Sequence, residues 1–133
     1  MADSAITTLT FTGTSGGGGI TYTEVTGTTQ SMAVNSGYIA NNVSLVTLTL
    51  PDTAPVGSIV SVIGKGAGGW RIAQNASEQI IWDEGGVDGT NETTIGTGGR
   101  LDSTDDNDSV DLICTVADTT WGVLSSKGNI TLT

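Results

Sequence analysis

Two neighbouring runs near the C-terminus leave this chain little choice of backbone. Val110, Leu112, Cys114 and Val116 alternate with Asp111, Ile113 and Thr115, and a period of two marks a strand with one face on a core. Ala117-Asp118-Thr119-Thr120 supplies turn chemistry, after which Trp121, Val123 and Ser125 fall on one face of a second alternation. Together they predict an antiparallel β-hairpin that closes a sheet. Ser126-Lys127-Gly128-Asn129 then predicts a turn, and Ile130 to Thr133 a short last strand.

Upstream, the same period recurs in shorter pieces. Ile20 to Val25 and Thr29 to Val34 flank Thr26-Gly27-Thr28 and predict a second hairpin. Tyr38-Ile39-Ala40 leads to a run from Val43 to Leu50 in which Val46, Leu48 and Leu50 share a face, and Pro51 ends it. Ser58 to Ile63 is apolar on both faces, so it is expected to be buried twice or pressed against another chain. Trp70 with Ile72, Gln79 to Asp83, Thr93 to Ile95 and Gly99 to Leu101 read as further short pieces. No window shows apolar residues at i, i+3, i+4 and i+7 over two turns, which excludes a long helix. The 20 glycines and the many threonines suit short strands and turns. The expected fold is all-β: an antiparallel β-sandwich or β-prism-like domain.

The chain's 133 residues fit one body, expected from residue 20 to 133. Residues 1–19 are expected as an attachment strand, Ala5 to Phe11, followed by the glycine run Gly16 to Gly19, which reads either as a hinge or as a wide loop at a strand crossover. Met1-Ala2-Asp3-Ser4 lacks a basic start and an apolar run, so synthesis in a cytoplasm without membrane insertion is expected.

A formal charge of −10, from 14 acidic against 4 basic residues, disfavours nucleic acid as a partner, because phosphate binding draws on Lys and Arg. Cys114 stands alone and on the apolar face of its strand, where a thiol acts as a small hydrophobe. With no His, no supported triad and no zinc spacing, no catalytic residue and no cofactor are assigned. The carboxylates Asp83 with Glu84, or Glu78 with Asp83, leave a polysaccharide-cleaving enzyme as a distant reading. Gly64-Lys65-Gly66-Ala67-Gly68-Gly69 lacks the Lys-Ser/Thr ending of a phosphate loop and reads as a place where backbones approach closely. The turn Asp102, Asp105, Asp106, Asp108 lacks the central glycine and terminal glutamate of a calcium loop, so no metal is assigned and local Asx bonding is expected. Among the aromatics, Trp70 and Trp121 lie in register with apolar neighbours and are expected in the core. Trp82, at a strand end beside Asp83 and Glu84, and Tyr38, at a loop mouth, are the contact candidates.

From about Tyr38 onward the chain resembles a C-terminal domain of bacteriophage tail-fibre (receptor-binding) proteins. The resemblance is carried by Gly37-Tyr38-Ile39-Ala40-Asn41, Leu48-Thr49-Leu50-Pro51, Val62-Ile63-Gly64-Lys65-Gly66, Gly69-Trp70-Arg71-Ile72-Ala73-Gln74-Asn75, Gly96-Thr97-Gly98-Gly99, and Trp121 through Asn129. It implies a virion protein, an intertwined homotrimer at the distal end of an appendage, upstream fibre or baseplate partners, and a bacterial surface glycan or protein as receptor. It supplies no binding residue, so Trp82, Tyr38, Asp83 and Glu84 stand as the expected receptor-binding set. A purely structural trimerisation cap is the alternative function.

Overall fold

The computed structural model describes residues 20–82 and 91–133, which form strands and turns and no helix. The strands are β1 (Thr21–Val25), β2 (Thr29–Ser31), β3 (Ser36–Ala40), β4 (Val46–Thr49), β5 (Ile59–Gly64), β6 (Trp70–Ala73), β7 (Gln79–Ile81), β8 (Arg100–Ser103), β9 (Ser109–Val116), β10 (Thr120–Lys127) and β11 (Ile130–Leu132). They make two mixed sheets, one ordered β1-β3-β5-β9-β10-β7 and the other β11-β8-β6-β4-β2. The expected attachment strand and glycine run lie outside the described residues.

The antiparallel expectation is corrected by the pairing. β1, β3 and β5 run parallel in one sheet, β2, β4 and β6 run parallel in the other, and β7 is parallel to β10. From β1 to β6 the chain therefore winds, passing from sheet to sheet and laying each coil on the last. The predicted hairpin of Ile20–Val25 with Thr29–Val34 does not form, because β1 and β2 belong to different sheets. Backbone bonding at the corner shows why: Val25 O accepts from Asn41 N and Thr28 O from Thr47 N, so the corner is held by the following coil. A short glycine turn between two alternating runs has the same residues whether the chain folds back or turns a corner.

After β6 the direction reverses. β8 lies antiparallel to β6, β9 to β5, and β10 to β9, the last being the hairpin expected from the sequence. Its turn holds Asp118 at φ 64°, with Asp118 N donating to Ala54 O and Asp118 Oδ1 accepting from Ala54 N. A register shift between Val123 and Ser125 turns Ser125 outward opposite Asp111, so Ser125 does not share the face of Trp121.

One apolar cluster joins the two sheets. Val46, Leu48, Trp70, Ile72 and Leu101 come from one, and Val60, Val62, Ile80, Leu112 and Trp121 from the other, each with no measurable exposure. Cys114 and both tryptophans expected in the core are there. Removing side chains of this size from water stabilises by about 1.5–3 kcal/mol each. The glycine loop before β6 does bring backbones together: a Cβ on Gly68 would lie 2.1 Å from the Ser44 carbonyl.

The two ends of this winding differ. At one end β1 and β2 are the outermost strands, each paired on one side only among the described residues. Their inward positions include Thr21 and Thr23, which are exposed. At the other end β7 is flanked by the segment Asn91–Thr93, through Trp82 N to Asn91 O, Thr93 N to Ile80 O and a bridge from Ile81 to Glu92. Thr94 N and Arg100 N reach Thr133 O beside β11. β7 is thereby covered on its outer side, while β11 is paired as a strand only with β8 among the described residues.

Candidate functional site

The outer face of the β1-β3-β5-β9-β10-β7 sheet is built from the residues that alternate with the core positions. One cross-strand row is Tyr22, Gly37, Ser61, Asp111 and Ser125. Gly37 is required here: a Cβ on it would come within 2.5 Å of the Tyr22 ring, which lies across β3. The ring's hydroxyl thereby meets Ser61 Oγ at 2.6 Å. Ser61 Oγ donates in turn to Asp111 Oδ1, and Ser125 Oγ donates to Asp111 Oδ2 at 2.6 Å. The carboxylate is thus held between two hydroxyls.

Isoleucines flank this polar row. Ile39 is paired with Ile63 on one side of it, and on the other Ile59, Ile113, Gly122 and Ile81 follow one another across the sheet. All five isoleucines are half-buried in the single chain. This matches the doubly apolar reading of Ser58 to Ile63. At the sheet edge Glu24 Oε2 accepts from Asn41 Nδ2 at 2.6 Å and from Lys65 Nζ at 3.1 Å, and these bonds, that from Lys65 foremost, hold the exposed carboxyl below its ordinary pKa.

The outer face of the other sheet has the opposite character. Its middle row is Thr29, Thr47, Arg71, Asp102 and Thr131. Arg71 Nε donates to Asp102 Oδ1 at 2.6 Å and Arg100 Nε to Asp102 Oδ2 at 3.0 Å. The hydrogen bond to Asp102 raises the Arg71 pKa. Threonine hydroxyls and paired ions are what a solvated sheet face presents.

Of the four expected contact residues, Tyr38 and Trp82 are among those described. Tyr38 is 4 % exposed, points inward in register with Val62, and its hydroxyl accepts from Ala33 N at 2.7 Å. Its placement at a loop mouth is thereby corrected: the strand begins two residues earlier than the turn Asn35-Ser36-Gly37 predicts, which carries Tyr38 into the core. Trp82 is half-buried just after β7 and packs against the core cluster. Asp83 and Glu84 lie outside the described residues. Tyr22 was missed, because its relation to Gly37 depends on a parallel register that no local pattern spells out.

Glu78, one of the carboxylates considered for glycoside chemistry, is 1 % exposed. Its Oε1 accepts from Asn75 N at 2.7 Å and Asn75 Nδ2 at 3.0 Å. Trp121 Nε1 approaches the same carboxylate without closing a hydrogen bond. Burial, with a smaller contribution from the charge of Asp52, raises the Glu78 pKa against the opposing effect of these donors. A raised folded-state pKa means that the folded protein holds the proton more tightly than the unfolded chain, so stability from this group is lost as pH rises through the folded pKa. Melting followed from pH 7 down towards the ordinary glutamate pKa of about 4.3 is therefore expected to show a stabilising slope in wild type that is shallower in Glu78→Gln. Equal slopes would separate Glu78 from the effect of general charge repulsion.

The acidic turn after β8 is occupied by its own backbone. Asp108 is 4 % exposed, and its Oδ2 accepts from Thr104 N and Asp105 N, both at 3.0 Å. Asp102 is engaged by the two arginines. EDTA is accordingly expected to leave the melting temperature unchanged. A large drop restored by Ca²⁺ would overturn that assignment.

Comparison with protein-family models and with curated proteins finds no match to this chain.

Proposed function

We propose that this chain is the distal module of a bacteriophage-type tail fibre, present in the virion as a homotrimer, which recognises a bacterial surface receptor of polysaccharide character. The observation that carries the reading is the difference between the two ends. Among the described residues β1 and β2 are each paired on one side only, whereas at the other end β7 is flanked by Asn91–Thr93 and Thr133 O accepts from Thr94 N and Arg100 N. A module of that form suits the tip of an elongated assembly, joined to upstream fibre or baseplate proteins on its open side. The phrases shared with tail-fibre domains support the same reading, and a sandwich- or prism-like intertwined trimer is the finer architecture that goes with it.

Trp82 stands at the β7 end, half-buried, and is the aromatic retained from the expected receptor-binding set. The test is binding of the protein to cells of candidate host bacteria, with matched mutants lacking surface polysaccharide. Trp82→Ala is expected to weaken attachment by about tenfold or more while costing less stability than truncation of Trp70 or Trp121. Full attachment by a folded Trp82→Ala protein would remove this contact, and absence of binding to every host would favour the structural-cap function.

A further inference from the structure

We infer that the outer face of the β1-β3-β5-β9-β10-β7 sheet is the surface through which copies of this chain pack on one another. The inference deepens the oligomeric part of the proposed function by naming the contact surface and its partner, a second copy. Its basis is the contrast between the two outer faces. One carries threonines and the Arg71–Asp102–Arg100 ion network, and solvent satisfies it. The other carries Ile39, Ile59, Ile63, Ile81 and Ile113, half-buried in the single chain, in two rows around a flat centre made by Gly37 and Tyr22.

Charge decides what covers it. The chain's formal charge is −10, so two copies repel through most of their surface. The strands of this sheet carry only two carboxylates, Glu24 and Asp111, together with Lys127, and Lys65 follows β5 directly. Glu24 is paired with Lys65, and Asp111 is held by Ser61 and Ser125. Glu92, the bridge partner of Ile81, adds one exposed carboxylate at the β7 edge, so the face carries a formal charge of −1 on a molecule of −10. A basic partner would be drawn to the acidic turns instead, and an acidic one repelled by them. A second copy meets here an apolar surface of low charge with its polar row already satisfied, which keeps like-charge repulsion and the desolvation of unpaired groups small.

The experiment is light scattering after size exclusion, across a dilution series, on wild type and three variants. Ile63→Lys and Ile113→Lys each place a charge in a different isoleucine row, and Thr47→Lys places one on the other sheet's outer face. Circular dichroism and melting confirm that each variant is folded. Wild type is expected to be oligomeric at micromolar concentration, with each isoleucine variant weakening association by about tenfold or more and Thr47→Lys leaving it unchanged. Oligomers that persist in both folded isoleucine variants would overturn the assignment of this face while leaving the oligomeric reading intact. A wild type that stays monomeric at every concentration would overturn both, and attachment to host cells reads the receptor function separately. If Ile63→Lys fails to fold, Ile113→Lys decides.

Discussion

Trp70→Ala lowers the free energy of unfolding by about 3–5 kcal/mol, the range for truncating a buried tryptophan. Trp70 has no measurable exposure, opens β6 and is paired in register with Val46. Its Nε1 donates at 2.8 Å to Asp108 O, which also accepts from Gly64 N at 3.0 Å. The indole thus joins the sheet holding β6 to the segment entering β9 in the other sheet. Alanine removes the apolar contact and leaves a cavity where the two sheets meet. Trp70→Phe keeps most of the contact and leaves the Asp108 carbonyl one remaining donor, so its expected cost is near 1 kcal/mol. Urea denaturation of the three proteins measures this ladder. Equal stabilities for wild type and Trp70→Ala would mean that the indole does not sit in the core.

Asp108→Ala is expected to cost about 1–2 kcal/mol, because it removes the buried acceptor that two part-buried turn hydrogen bonds share. The two N–H groups that Asp108 Oδ2 receives, from Thr104 and Asp105, define the turn between β8 and β9. That turn sets the reversal of direction by which β9 lies antiparallel to β5. Asp108→Asn keeps an acceptor oxygen and is expected to recover most of the loss. By contrast, Asp106→Ala, at an exposed position of the same turn, is expected to change stability by less than about 0.5 kcal/mol. A cost at Asp106 equal to that at Asp108 would indicate that the whole acidic cluster acts together, as a cation site would require.

Much of the local structure was readable from side-chain alternation. Val46, Leu48, Leu50, Trp70, Ile72, Val110, Leu112, Cys114 and Trp121 share the faces that alternation marks and are inside, whereas Val116, expected beside Cys114, is exposed at the end of β9. The strand order was not readable. Periodicity reports which face of a strand is buried, and it is silent on whether the next strand returns beside it or crosses to another sheet. Val25 and Met32 are both buried, as a hairpin also predicts, so the burial pattern could not separate the two arrangements. The working face followed the same division. The second apolar face of Ser58 to Ile63 was visible in the sequence, whereas the row from Tyr22 through Gly37 to Asp111 depends on strands distant in the chain. Tyr38 and Ser125 depart from expectation for different reasons: a strand that starts two residues early takes Tyr38 from a loop position into the core, and a register shift of one turns Ser125 from inside to outside.

The position of β7 sets an order on how the molecule is assembled. β3 follows soon after β1 in the chain, β4 after β2, and β5 and β6 after those, so the coils can be laid down as they leave the ribosome. Among the described residues β7 has only the short segment Asn91–Thr93 as a nearby partner, and its partner strand comes much later. It pairs with β10, Gln79 opposite Thr120 and Ile80 opposite Trp121, and therefore waits until the last quarter of the chain has been made. Until then the strand bearing Ile80 and the turn bearing Glu78 remain in water beside an incomplete core. A nascent chain arrested before Thr120 would carry its coils without the partner strand of β7, and would be more open to protease between Asn75 and Ile81 than the completed chain, in which Glu78 and Ile80 are buried.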